Sequence, residues 1–194
     1  MVDETRNPWT ILSTEEIYSN PWLTLHEHKV ITPTGTRGIY GVISPRKLAL
    51  GVVPFTSSGD VVLVGQYRFP LKRFSWEIPE GGGDKDVDPQ ESAARELAEE
   101  TGYRAASWRE ILRLDLSNSV SDEHAIAFLA WDLVPGDAAP DETEELALRC
   151  VRFGEAIDMV LRGEITDAIS VASLLKVQML AIRGDLPDAV LRNL

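Results

Sequence analysis

Apolar positions between residues 22 and 67 fall into four short runs separated by turn-forming clusters. Residues 22–31 and 38–44 predict two strands, with Thr32-Pro33-Thr34-Gly35-Thr36 supplying the turn chemistry of a hairpin between them. Residues 48–56 and 61–67 are β-branched and apolar, and Ser57-Ser58-Gly59-Asp60 has the length and composition of a hairpin loop. This opening is antiparallel, without the helical crossover of a βαβ unit. After a glycine-rich stretch the pattern changes to a helical period from 88 to about 101. Asp88 suits the N-cap, Pro89 the first helical position, Glu91 completes a capping box, and Gly102 ends the helix.

Further along, 108–114 and 125–133 predict strands, 135–145 an acidic loop, and 146–153 another strand. A short helix over 155–162 and a longer one over about 167–183 complete the pattern. The order of strands, helix, strands and helices predicts an α+β fold with a largely antiparallel or mixed sheet. Repeats and low-complexity tracts are absent, and 194 residues suit one domain better than two.

Charge and cysteine use narrow the function classes. The chain has 31 acidic against 19 basic residues and a net charge of −12, which argues against a nucleic-acid partner, since displacing counterions from phosphates requires a basic face. No uncharged apolar run is long enough for a membrane span, and Met1-Val2-Asp3-Glu4-Thr5-Arg6 lacks the basic start of a signal peptide. A single cysteine, Cys150, excludes an intramolecular disulfide and a Cys-rich zinc site. It is expected in the core as a small apolar residue, in a chain suited to the reducing cytoplasm.

Half of the net charge lies in residues 80–100, which carry eight acids, two bases and a net of −6. Glu96, Glu99 and Glu100 stand three and four residues apart on the predicted helix, so their carboxylates project from one side and repel. Hard oxygens crowded in this way suit Mg²⁺ or Mn²⁺. Taken alone, the run is equally what a charge-rich surface helix would show. The glycines before the helix let backbone approach an ion or a phosphate.

The wider segment resembles the Nudix box, G-x5-E-x7-R-E-U-x-E-E-x-G-U with U a bulky apolar residue. Gly81, Arg95, Glu96, Leu97, Glu99, Glu100, Gly102 and Tyr103 match at the right spacing, and Val87 stands where the box has its first glutamate. In the family that glutamate supports the loop-helix geometry and partners the arginine, and here Glu91, one turn before Arg95, is expected to take over the ion pair. The resemblance implies two β-sheets sandwiched between helices (α/β/α), and divalent-ion-dependent hydrolysis of a nucleoside diphosphate linked to another moiety. It also implies that Glu96, Glu99, Glu100 and the backbone carbonyl of Glu80 hold Mg²⁺ or Mn²⁺, while Arg95 orients the glutamates.

Flanking residues resemble the ADP-ribose pyrophosphatase branch, which acts on nucleoside diphosphate sugars. Gln66-Tyr67-Arg68 is similar to its strand-end Q-Y-R, whose arginine contacts the diphosphate or nucleoside end; a plain ion pair for Arg68 remains open. Ser75-Trp76-Glu77-Ile78-Pro79-Glu80-Gly81 is similar to its L-E-x-P-A-G lead-in, with Glu80 in place of alanine. A loop in the second half of the domain supplies the base in that branch, which points to Glu142 or Glu144, with Glu123 in the preceding loop as the alternative. His26, His28 and His124 have no metal-ligand spacing. Residues 1–46 resemble the branch's β-rich N-terminal extension, which joins a homodimer, ahead of a hydrolase domain over 47–194. Trp22 is a candidate for stacking on a base, with core packing the competing role. Other diphosphates such as GDP-mannose, NADH or a dinucleoside polyphosphate, and a silent nucleotide-binding module, stay open as alternatives.

Overall fold

The computed structural model describes residues 5–139 and 145–192. They fall into two compact units, one drawn from residues up to Lys47 together with Asp115–Glu123, the other from the rest.

In the first unit β1 (Thr10–Ser19), β2 (Leu23–Ile31) and β3 (Arg37–Pro45) form an antiparallel meander in that order. Asn20 makes the first turn: its Oδ1 accepts the backbone N–H groups of Trp22 and Leu23, both at 2.8 Å. Gly35, with φ 84°, makes the second. The apolar pattern does not single out β1, because its apolar residues come as adjacent pairs, Ile11-Leu12 and Ile17-Tyr18. The structure supplies the reason: register shifts between Ile11 and Ser13 and between Glu16 and Tyr18 reset the alternation. Residues 115–123 lie along β3, with the Ile43 N–H donating to Val120 at 2.9 Å and the Ser44 hydroxyl to Asp122 Oδ2 at 2.8 Å.

The second unit contains β4 (Leu48–Pro54), β5 (Asp60–Arg68), β6 (Arg73–Glu77), β7 (Glu80–Gly83), α1 (Pro89–Thr101), all but the last two residues of β8 (Arg104–Leu116), all but the first residue of β9 (Glu123–Val134), β10 (Ala147–Arg152), α2 (Phe153–Leu161), α3 (Ala168–Ile182) and α4 (Asp188–Leu191). One sheet has the order β10-β5-β6 and is antiparallel. The other has the order β7-β4-β9-β8 and is mixed: β7 runs antiparallel to β4, and β9 runs parallel to it, with Ala49 opposite Ala125 and Pro54 opposite Ala130. The near-continuous apolar runs of β4, β5 and β9 follow from cover on both faces. The α+β expectation holds, with β6, β7 and α4 as additions that the sequence pattern did not separate.

Helix α1 seats its small face on the four-stranded sheet, where Ala93 and Leu97 pack with Leu50, Val52, Ile126 and Phe128. Leu97 is fully buried. Leu97→Ala is therefore expected to lower stability by about 3 kcal/mol in urea titration; a loss below about 1 kcal/mol would contradict this seating.

Cys150 departs from expectation. It is exposed, because β10 is an edge strand on which Val151 takes the inward position and Cys150 the opposite face. Partial burial and nearby Asp60 push its thiol above the usual range, so it is a weak nucleophile.

Candidate active site

The site grows from the ends of α1. Asp88 Oδ1 accepts the N–H groups of Gln90 at 2.8 Å and Glu91 at 3.3 Å, and Pro89 follows at the first position. At the other end Gly102, with φ 75°, closes the helix by donating its N–H to Ala98. These caps fix the ends of α1, and the seating of Ala93 and Leu97 on the sheet fixes its rotation and with it the direction of the glutamates. Strand β7 runs beside the helix, paired to β4 with Gly81 opposite Leu50. The absence of a side chain at Gly81 matters sterically, since a Cβ there would lie 2.1 Å from Cδ of Glu96. Glycine is thus what lets the Glu96 carboxyl rest on the β7 backbone.

The structure brings Glu80, Arg95, Glu96, Glu99 and Glu100 together. Glu100 is buried, and its Oε2 accepts the backbone N–H of Glu80 at 3.1 Å. Arg95 binds Glu96 Oε1 at 2.7 Å, Glu99 Oε2 at 2.8 Å and the Gly82 carbonyl at 3.2 Å. Burial works against its cation, but Glu96 and Glu99 outweigh that and hold the guanidinium above its ordinary pKa. The expected Glu91 partnership is thereby corrected: Arg95 turns towards Glu96, Glu99 and β7, where the negative charge is denser.

Arg68, at the end of β5, bonds both carboxylate oxygens of Glu77, with Nε 3.0 Å from each and Nη2 on Oε2. Glu77 is buried at 2% exposure, whereas the Arg68 side chain keeps 35%. The ion pair left open by the sequence therefore exists, and about a third of the Arg68 side chain still meets solvent. Burial opposes the Arg68 cation, yet Glu77, Glu80 and Asp167 hold its pKa above the ordinary value.

Glu80 takes an unexpected set of partners. Its Oε1 accepts the Ser170 hydroxyl at 2.7 Å, and burial, reinforced by Asp167, pushes its carboxyl well above the usual range. Ser170 and Asp167 were not singled out by sequence. The Asp167–Ser170 spacing marks a helix cap, and the structure has that cap at 2.8 Å, but the pattern carries no sign that the hydroxyl would turn to β7.

Trp22 and Glu123 belong to the first unit. Trp22, in the first unit, is 74% exposed at the β1–β2 turn, which removes core packing as its role. Glu123 is half-buried, and burial followed by Asp122 raises its carboxyl. Glu142 and Glu144 lie outside the described residues. His28 bonds the Thr14 hydroxyl at 2.9 Å and stacks on His26.

Chemically, the cluster is a set of hard oxygens: the carboxylates of Glu96, Glu99 and Glu100 and the carbonyls along β7. Among the described residues no three Asp, Glu, His or Cys side chains converge into a ready metal cage, because Arg95 draws Glu96 and Glu99 to itself. The donor type and the notch at Gly81 nonetheless fit a small divalent cation, with Glu96 seated on Gly81 and Glu100 bonded to the Glu80 N–H.

Comparison with known proteins identifies the family. A NUDIX domain model matches residues 45–173, and a model of the nucleoside diphosphate sugar hydrolase N-terminal domain matches 9–43. An ADP-ribose pyrophosphatase of Mycobacterium tuberculosis is 31% identical over 173 residues, covering 86% of this chain and 81% of its own. An ADP-ribose pyrophosphatase of Bacillus subtilis is 31% identical over 159 residues, covering 81% and 85%. The crystal structure of an ADP compounds hydrolase superposes with a TM-score of 0.81 at 23% identity, covering 92% of this chain and 97% of that one, and shares its fold. The box from Gly81 to Tyr103, the α1–β7 geometry and these matches together show that the chain belongs to the Nudix hydrolase family.

Proposed function

We propose that the protein hydrolyses the diphosphate of ADP-ribose or a related nucleoside diphosphate sugar, with Mg²⁺ as its divalent ion. The observation that carries this reading is the seating of Glu96 on Gly81 beside the Glu80–Glu100 bond, in a chain whose relatives are named ADP-ribose pyrophosphatases. Glu96, Glu99, Glu100 and the Glu80 carbonyl would hold the ion, which when bound neutralises charge developing on the diphosphate oxygens. Arg95 keeps the carboxylates oriented. Arg68, braced by Glu77, offers its exposed part to a phosphate oxygen.

Glu142 or Glu144 holds the attacking water and takes its proton, as a base at that point of the chain would. Water adds to one phosphorus, the bridging P–O bond breaks, and a nucleoside monophosphate and a sugar phosphate leave. Residues 1–46 join two copies of the chain ahead of the hydrolase domain over 47–194, and Trp22 stacks on the base. The support for the homodimer is apolar exposure in the first unit, where Ile11 is 59%, Ile17 51% and Ile39 70% exposed. An exposed, unpaired thiol suits the reducing cytoplasm.

The test is hydrolysis of ADP-ribose, ADP-glucose, GDP-mannose, NADH and diadenosine polyphosphates, read as phosphate released by an added phosphatase. The expected outcome is highest kcat/KM on ADP-ribose or another ADP-sugar, complete loss in EDTA and recovery with excess Mg²⁺. Turnover that persists in EDTA, or that is confined to dinucleoside polyphosphates, would overturn it.

A further inference from the structure

Several polar groups around the Pro79–Glu80 turn are engaged, and two of the bonds come from a helix outside the box. The Pro79 carbonyl accepts the Val52 N–H at 2.9 Å, and the Glu80 N–H goes to Glu100. Ser170, on the first turn of α3, is fully buried. Its hydroxyl accepts the Ile78 N–H at 3.0 Å and donates to Glu80 Oε1 at 2.7 Å, so one oxygen clamps the chain on both sides of Pro79. Ser170 is itself fixed by Asp167, which caps its N–H at 2.8 Å. A buried hydroxyl with both partners made has one orientation. The stretch from the Ile78 amide to the Glu80 side chain is therefore held in one orientation as well, and the Glu80 carbonyl follows directly on it.

We infer that Ser170 is a positioning residue for the ion site, acting through the Glu80 side chain and the Ile78 amide to aim the Glu80 carbonyl. The inference rests on the proposed role of that carbonyl as an ion donor. It gives Glu80 a purpose where the family pattern has alanine: the carboxyl is the handle by which α3 holds β7. Groups that orient a metal donor from behind typically govern affinity by one to two orders of magnitude.

The experiment measures Mn²⁺ binding directly, from loss of the free-ion electron paramagnetic resonance signal, in the full chain and in Ser170→Ala, Glu80→Ala and Glu96→Gln. Ser170→Ala is expected to raise the Mn²⁺ Kd about tenfold, and Glu80→Ala, which leaves the Ser170–Ile78 bond in place, about threefold. The Mn²⁺ concentration for half-maximal turnover should rise with it by more than kcat at saturating Mn²⁺ falls, a split that a loss of fold alone would not produce. A wild-type Kd in either variant, with a folded circular dichroism spectrum, overturns the inference. Should Ser170→Ala fail to fold, Glu80→Ala decides. Glu96→Gln separates the two levels: if it binds Mn²⁺ like the parent, the ion site itself is misplaced, whereas if it alone loses binding, only the role of Ser170 fails.

Discussion

Replacing Glu100 with glutamine is expected to lower kcat about a thousandfold at saturating Mg²⁺, equivalent to about 4 kcal/mol of transition-state stabilisation. Glu100 is 4% exposed and bonds the Glu80 N–H at 3.1 Å. Glutamine keeps the shape and an oxygen to accept that N–H, so the turn before α1 stays in place while the negative charge is lost. Stability should consequently change little, and the loss should appear in turnover. Near-normal kcat in a variant with a parental melting curve would remove Glu100 from the site.

Gly81→Ala is expected to be nearly as damaging, by a steric route. The added methyl would fall 2.1 Å from Glu96 Cδ and 2.2 Å from its Oε2. Those atoms end a flexible side chain, so the cheapest relief is for Glu96 to swing away, with β7 still paired to β4 through Leu50. Melting should shift by the equivalent of about 1 kcal/mol or less, whereas Mn²⁺ affinity should fall by about a hundredfold, as expected when a ligand is misdirected. Unfolding of the variant, or affinity within about threefold of the parent, would show that Glu96 does not depend on the notch.

The box helix was legible because its signals are local. Asp88, Pro89 and Gly102 cap α1 where their conformational preferences put them, and the spacing of Glu96, Glu99 and Glu100 sets their shared side. Strands buried on both faces announce themselves by continuous apolar runs, as β4 and β5 do. What the sequence hid depends on partners far along the chain. Strand β7 is mostly glycine and forms because β4 offers it a ladder. The parallel pairing of β4 with β9 joins residues 76 positions apart, and no turn chemistry signals it. β1 was masked by its two register shifts. The choice of Arg95 for Glu99 over Glu91 was likewise out of reach, since both lie one turn away and the β7 carbonyl of Gly82, which Arg95 also bonds, is distant in sequence. Ser170 is the clearest case, a serine ninety residues from the Glu80 that it holds.

The solitary thiol has a practical consequence. Cys150 faces outward and lines, with Tyr103, Pro135, Gly136 and Arg149, a cleft of about 260 Å³ at the C-terminal end of α1. Gly136 abuts Gly102 there, and the Ala139 N–H is donated to the Glu99 carbonyl at 2.8 Å. A maleimide dye can therefore be attached at one defined position without mutagenesis, slowly at neutral pH because the sulfur resists ionisation. Its emission would report any change around residues 135–139, which the Ala139–Glu99 bond ties to α1.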